Sequence, residues 1–109
     1  MKEAWLIEGA GMARLSDVIV HDDGGWHGYP WYKRLQCPLC RDTYQHTGHQ
    51  QTILGNDNYE AGWEGRGDLL VVPLEGECGH LWEICLGFHK GETFVFVRVG
   101  ASNYLDGAA

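Results

Sequence analysis

Four side chains that suit a metal ion stand out: Cys37 and Cys40, in Cys-Pro-Leu-Cys, and Cys78 and His80, in Cys-Gly-His. A C-x-x-C pair followed much later by a second thiol and imidazole pair is a spacing typical of structural zinc sites, in which four ligands close a tetrahedral shell. Gly79 lets the backbone turn tightly around an ion, and side chains at i and i+2 of an extended segment share one side. The sequence therefore predicts that Cys37, Cys40, Cys78 and His80 bind one structural Zn²⁺.

Other interpretations of these residues stay open. A redox C-x-x-C belongs at a strand-to-helix junction, whereas the Thr- and Tyr-rich segment after Cys40 does not read as a helix. A disulfide between the pairs is disfavoured, because the first residues lack the apolar run of a secretory signal and we expect a cytoplasmic protein. Chance spacing of packed cysteines is a further alternative. His46 or His49 is an alternative to His80, although their segment is polar and loop-like.

Residues 80–99 predict a β-hairpin. Two runs rich in Val, Ile, Phe and Trp flank Lys90-Gly91, a turn signal. Pairing outward from that turn sets Glu83 opposite Arg98, so the register is supported by a cross-strand charge pair. The face that we predict as the core carries Trp82, Ile84, Leu86, Phe88, Val95, Val97 and Val99.

The same register separates Cys85 from the other cysteines. Cys85 has the opposite strand parity to Cys78 and His80, and seven extended residues put it roughly 23 Å from Cys78. One tetrahedral ion cannot bridge that distance. We therefore interpret Cys85 as a buried, inert thiol, and the choice between His80 and Cys85 as the fourth ligand depends on this register.

The remaining segments predict short elements. Residues 68–74 form a continuous apolar run typical of a buried strand, in which Pro73 indicates an edge position or a bulge. Residues 43–47 and 51–54 are candidate short strands. Residues 4–20 are ambiguous, with a helix over 10–20 or a strand over 17–21.

Composition limits the fold and the partners. A chain of 109 residues fits one domain, 1–109, and its 16 glycines favour a mainly β fold, with a small α+β fold as the alternative. Eight Lys and Arg against fifteen Asp and Glu give a net charge of −7, which disfavours nucleic acid as a partner. The one basic cluster is Lys33, Arg34 and Arg41. No apolar run is long enough to span a membrane, and no catalytic motif is visible.

Two segments suggest a partner surface. Residues 25–32 read Gly-Trp-His-Gly-Tyr-Pro-Trp-Tyr, and residues 55–68 form a long glycine-rich, acidic loop. The first segment is expected to close the core beside the Cys37 knuckle, since aromatics bury large areas; a binding surface is the alternative. For the loop, a partner surface and a solvated connection are equally favoured. The candidate partner-binding residues are Tyr59, Trp63, Arg66, Trp26 and Trp31, of the types that dominate binding energy.

A further pattern joins several of these segments: Gly-Asn-Asp-Asn-Tyr-Glu at 55–60, Gly-Arg-Gly-Asp at 65–68, Glu-Cys-Gly-His-Leu-Trp-Glu at 77–83 and Gly-Phe-His-Lys-Gly at 87–91. Over residues 37–98 the chain resembles a group of small uncharacterised bacterial and phage proteins with an N-terminal C-x-x-C. It is also similar to zinc ribbons in its Cys-Pro-x-Cys knuckle, but departs from them in its long spacing and its C-x-H second pair. The resemblance implies a zinc-ribbon-like element with knuckles at 37–40 and 78–80, and it carries no activity that can be transferred to this chain.

The sequence thus favours a non-enzymatic, zinc-stabilised module that binds a protein. A phage-encoded role on a host protein, in the host cytoplasm, fits the small size and the acidity by analogy. The second hypothesis is a nucleic-acid-binding zinc ribbon, which requires basic residues beside the aromatic segment. The third is a small zinc-dependent enzyme, which requires an open coordination position on the metal.

Overall fold

The chain forms a single antiparallel sheet. The computed structural model describes residues 11–21, 28–56 and 62–100. The sheet has six strands in the order β1-β6-β5-β4-β2, with β3 also pairing with β4, so the protein is mainly β as predicted. Within the described ranges, no helix has the length and apolar character needed to cross a membrane. The elements are β1 (Gly11–Ala13), α1 (Leu15–Val18), β2 (Gln45–Thr47), β3 (Gln51–Ile53), β4 (Leu69–Gly76), β5 (Leu81–His89) and β6 (Glu92–Val99).

The β5–β6 hairpin confirms the predicted register. Trp82 pairs with Val99 at one end and His89 with Glu92 at the other. Lys90 and Gly91 both adopt positive φ, 51° and 85°, as a two-residue turn that follows the strand twist requires. This hairpin forms the centre of the sheet, since β4 pairs with β5 and β1 pairs with β6.

Pro73 lies at a bulge of the sheet, which confirms one of the two positions predicted for it. Between the pairs Thr47–Leu74 and Gln51–Val71, three residues of the β2–β3 segment face two residues of β4. It is buried and pairs with Glu83 of β5. Its carbonyl accepts a hydrogen bond from the Gly48 N–H at 2.9 Å. The N and C=O of one strand residue point to the same side, so the Pro73 nitrogen faces the gap where β2 gives way to β3. No hydrogen bond to β5 is lost there.

The short elements resolve the remaining expectations. The candidate strands over 43–47 and 51–54 are present as β2 and β3. The ambiguous N-terminal segment is neither of the predicted alternatives over its described part. It contains β1, a single turn of helix in α1, and an isolated bridge between Ile19 and Leu35.

Both faces of the sheet are covered, whereas the sequence predicts one core face. On the face predicted as the core, Phe88 and Val95 are not buried, since they are 36% and 45% exposed. The opposite face carries a second buried cluster, which Trp63 covers. The first cluster consists of Val18, Cys37, Leu74, Trp82 and Val97, and the second of Leu69, Val71 and Cys85.

The predicted Glu83–Arg98 pair is a buried ion pair. Arg98 Nη2 lies 3.0 Å from Glu83 Oε1, with side-chain exposures of 6% and 0%. The Arg98 Nε–H donates to the same oxygen at 3.1 Å, and the guanidinium carbon lies 5.9 Å from the centre of the Phe96 ring. Burial of both charges makes this pair sensitive to loss of either partner.

Candidate metal centre

The first half of the site is a tight turn over Cys37-Pro38-Leu39-Cys40. The Arg41 N–H donates to the Cys37 carbonyl at 2.9 Å, and the Cys37 N–H donates to the Asp42 carbonyl at 2.8 Å. Arg41 closes the turn with a φ of 69°. The Leu39 N–H points back to the Cys37 sulfur at 3.3 Å. This contact orients the Cys37 sulfur toward the inside of the turn.

The second half is the loop between β4 and β5. The Gly76 N–H donates to the His80 carbonyl, and the Gly79 N–H donates to the Gly76 carbonyl, each at 2.9 Å. Gly79 has a φ of 95°, which confirms the tight turn expected there. Cys78 and His80 therefore lie in a short hairpin loop and not in the extended segment that the sequence suggests. The loop, and not strand parity, directs both side chains to one side.

The two turns bring the four predicted ligands together. Donor atoms of Cys37, Cys40, Cys78 and His80 all lie within 4.8 Å of one another. Cys37 Sγ and His80 Nδ1 are 3.4 Å apart. A tetrahedral zinc ion with Zn–S bonds of 2.3 Å separates its ligand atoms by about 3.5–3.8 Å. The cluster is therefore close to the size that a metal ion needs.

Packing and capping hold the first turn against the sheet. Cys37 is fully buried against Val18 and Trp82, in the cluster on that face. The Arg41 guanidinium donates to the Asp17 carbonyl in α1 at 2.7 Å, where it satisfies a carbonyl near the end of the helix. The four candidate ligands thus come from a rigidly supported turn on one side and from a β-hairpin loop on the other.

The thiols differ in their acidity. Burial raises the pKa of Cys78 to about 12. For Cys40, partial burial acts to raise the pKa, but hydrogen bonds from the Asp42 backbone and from the neighbouring thiols outweigh it, and the pKa is lowered. A bound cation favours the thiolate at each sulfur, so metal binding displaces protons and weakens in acid.

The fourth cysteine lies elsewhere. Cys85 is fully buried on the opposite face of the sheet, between Val71 and Phe96. Burial raises its pKa to about 11, so the thiol stays protonated at neutral pH. The predicted burial of Cys85 is confirmed, and the fourth member of the cluster is His80 and not Cys85. The alternative ligand His46 instead lies 2.8 Å from Glu77 through its Nε2.

Three exposed rings lie a few residues before the first turn in the chain. We call Tyr29, Trp31 and Tyr32 the aromatic patch. Their ring centroids are 5.2 to 6.1 Å apart, and Trp31 is 68% exposed. The expectation that this segment closes the core is therefore wrong for these residues. Leu39, at the tip of the Cys37 turn, is exposed as well. Trp26, also predicted as a partner residue, lies outside the described residues.

Two candidate partner residues of the glycine-rich loop lie in its described part, and they differ in exposure. Trp63 is half-buried and stacks on Phe96 at 5.7 Å. It occupies space that Gly87 leaves free, since a Cβ on Gly87 would lie 2.6 Å from the indole. Trp63 is therefore mainly a core residue. Arg66 is exposed, and its N–H donates to His89 Nδ1 at 3.0 Å; Tyr59 lies outside the described residues.

Gly76 is a site residue that the sequence analysis misses. A Cβ placed on Gly76 would lie 2.6 Å from the Cys78 sulfur and 3.3 Å from the Trp82 ring. The absence of a side chain lets the sulfur reach the cluster. The signal available in the sequence is its position two residues before Cys78.

Comparison with known proteins yields no relative: no family model, no curated protein and no solved structure matches the chain. The interpretation of the site therefore rests on its geometry.

Proposed function

We propose that this protein is a non-enzymatic, zinc-stabilised binding module that engages a protein partner through the aromatic patch. The observation that carries the proposal is the exposure of Tyr29, Trp31 and Tyr32, which precede the Cys37 turn of a four-ligand Cys/His cluster by a few residues in the chain. Exposed neighbouring aromatic rings are unusual on a free surface, because burying them is strongly favourable. They are also the residue types that dominate protein interfaces.

Zinc is the metal that suits the donor set best. Three thiolates and one imidazole are soft and borderline ligands, and their mutual distances, all within 4.8 Å, suit the size of a structural zinc site. Four protein ligands leave no open coordination position for a substrate or a reactive water. A structural role is therefore favoured over the zinc-dependent enzyme hypothesis, and the zinc-ribbon-like character of the domain stays part of this proposal.

A protein partner fits the charge of the chain. The net charge of −7 opposes approach to a phosphate backbone and favours a neutral or basic protein surface. The resemblance to small bacterial and phage proteins suggests a host protein as that partner, met in the host cytoplasm.

One observation favours single-stranded nucleic acid as a second candidate. Lys33 and Arg34, both exposed, follow directly after Tyr32. Aromatic rings beside cationic side chains are the combination that stacks bases and neutralises phosphates. This local charge works against the charge of the whole molecule.

Metal content and partner capture test the proposal. Protein purified without chelator should contain one zinc per chain by elemental analysis. Zinc-loaded protein is then used to capture partners from a lysate of the native host, with Trp31→Ala as the test variant. Tyr44→Ala is the matched control, because Tyr44 is 72% exposed but is not one of the three patch rings.

Three outcomes separate the hypotheses. A protein captured by wild type and Tyr44→Ala, and lost with Trp31→Ala, supports a protein-binding patch. Salt-sensitive binding of a labelled oligothymidylate that is lost with Trp31→Ala supports the nucleic-acid candidate instead. Purified protein without zinc refutes the metal part of the proposal.

A further inference from the structure

The four side chains of the candidate metal cluster differ in their access to solvent. Cys40 is exposed, Cys78 and His80 are half-buried, and Cys37 is fully buried. Cys40 is therefore the member of the cluster that a small oxidant in solution meets first. Oxidants modify cysteines that are both accessible and thiolate in character, and a bound cation favours the thiolate at each sulfur.

Cys40 shares its turn with a second thiol. The Arg41 N–H donates to the Cys37 carbonyl at 2.9 Å, which winds residues 37–40 into a single turn. A turn of this size brings its first and fourth Cα atoms within about 7 Å of each other, and a disulfide spans Cα atoms about 4.4–6.8 Å apart. The two sulfurs already lie within 4.8 Å of each other. A Cys37–Cys40 disulfide therefore needs side-chain rotation and little movement of the backbone.

Cys78 is the other thiol of the cluster within reach of Cys40. It lies on the loop between β4 and β5, so a Cys40–Cys78 bond would join two separate loops. Backbone hydrogen bonds within that loop fix its shape. The Leu39 N–H, in contrast, holds the Cys37 sulfur toward the inside of the turn that carries Cys40, at 3.3 Å. The geometry therefore favours the pair within one turn.

We propose that the cluster is a redox switch, in which a peroxide converts Cys37 and Cys40 into a disulfide and so releases the metal. The switch rests on the metal binding proposed above and adds its regulation. Loss of these two ligands leaves Cys78 and His80, and two side chains do not close a tetrahedral shell. The turn that carries Cys37 is then no longer cross-linked to the β4–β5 loop.

The oxidation balances with hydrogen peroxide as the oxidant. The Cys40 thiolate attacks one peroxide oxygen, the O–O bond breaks and hydroxide leaves, which gives a sulfenic acid on Cys40. The Cys37 thiolate then attacks the Cys40 sulfur, the S–S bond forms and a second hydroxide leaves. The two sulfurs together lose two electrons, and the two hydroxide ions take up two protons to become water. A dithiol reductant restores both thiols by exchange, so the switch is reversible.

Zinc release and peptide mapping test the switch in the wild-type chain. Zinc-loaded protein is treated with hydrogen peroxide, and a chromogenic chelator measures the zinc that is released. Trypsin places both cysteines of the turn in one peptide, residues 35–41, which should lose the mass of two hydrogens in step with zinc release. Dithiothreitol and added zinc should restore the metal-bound form. Cys85 should stay reduced, and Cys85→Ala should release zinc as wild type does, because Cys85 is buried on the opposite face.

Cys40→His separates the role of this thiol from the general chemistry of zinc sites. Histidine keeps four metal ligands but cannot form the disulfide, so peroxide should release zinc from Cys40→His about ten-fold more slowly than from wild type. The wild-type peptide map decides even if Cys40→His does not bind zinc.

The outcomes separate the switch from the metal site itself. Zinc that stays bound at peroxide concentrations that leave Cys85 reduced overturns the switch. Release with a disulfide that includes Cys78, or release at the wild-type rate from Cys40→His, overturns the assignment to the Cys37 turn. Protein that contains no zinc before peroxide is added contradicts the proposed function, and this first measurement identifies that case.

Discussion

Replacing Gly76 by Ala is expected to weaken metal binding with little effect on folding. A Cβ at this position would lie 2.6 Å from the Cys78 sulfur, and 3.3 Å from a Trp82 ring carbon. Carbon and sulfur come into contact at roughly 3.5–4 Å. The sulfur must therefore move by about 1 Å. The backbone of Gly76 has no positive φ, so Ala adds no backbone strain.

This movement of the sulfur is expected to lower the metal affinity. Metal–ligand distances hold within about 0.2 Å, so a shift of about 1 Å breaks the Zn–S bond and does not stretch it. Cys78 relieves the clash by rotating its side chain out of the cluster. We expect the metal affinity to fall on the order of 10- to 100-fold, or about 1.4–2.7 kcal/mol.

Gly87→Ala is the matched control. Its Cβ would lie 2.6 Å from the Trp63 ring, a clash of the same size in the cluster on the opposite face. Overpacking of this kind costs about 1–3 kcal/mol of folding free energy and leaves Cys78 in place. Chelator competition measures the metal affinity, and urea unfolding in excess metal measures the stability.

The two variants should therefore lose different properties, metal affinity in one and folding stability in the other. Gly76→Ala loses affinity and keeps most of its stability, while Gly87→Ala loses stability and keeps its affinity. Wild-type affinity in Gly76→Ala would refute the position of the Cys78 sulfur as a ligand. An equal loss of affinity in Gly87→Ala would show that the effect is a general loss of stability.

Three more predictions concern the cysteines and the buried ion pair. Cys37→Ser should lose the metal and much of the fold, which elemental analysis and circular dichroism measure. Cys85→Ala should keep the metal and lose about 1–2 kcal/mol of unfolding free energy. Metal loss in Cys85→Ala but not in His80→Ala would reverse the choice of fourth ligand. Arg98→Met removes the cation beside the buried Glu83 carboxylate and should cost about 3–5 kcal/mol in urea unfolding, and the further change Glu83→Gln should recover part of it. Between pH 9 and about 11 the unfolded chain releases the Cys85 proton while the folded chain retains it, so the free energy of unfolding should fall by at most about 1.4 kcal/mol per pH unit; an equal slope in Cys85→Ala would contradict this.

The hairpin was predictable from the sequence because its determinants are local. Lys90-Gly91 supplies a turn with two positive φ angles, and the turn fixes the register of every pair that follows. The Glu83–Arg98 pair then supports the same alignment. The cluster of Cys37, Cys40, Cys78 and His80 was predictable for a different reason. Few residue types bind metals, so their spacing in the sequence is easy to recognise.

The second core was not predictable, because it depends on residues far apart in the chain. Trp63 packs on the cluster that contains Cys85 only because Gly87, two residues further along β5, has no side chain in the space that the indole fills. This packing is not encoded in a local pattern. The bulge at Pro73 was predictable, because proline within a strand is confined to edges and bulges.

A bound ion would also fix how the aromatic patch is presented. Residues 28–44 form no strand of the sheet. Among the pairings of the described residues, the bridge between Ile19 and Leu35, with hydrogen bonds on either side of it, joins this segment to the chain before it. Cys37 and Cys40 of this segment face Cys78 and His80 on the β4–β5 loop. A bound ion would therefore cross-link the patch-bearing segment to the rigid hairpin, so the partner binding that we propose would depend on the metal.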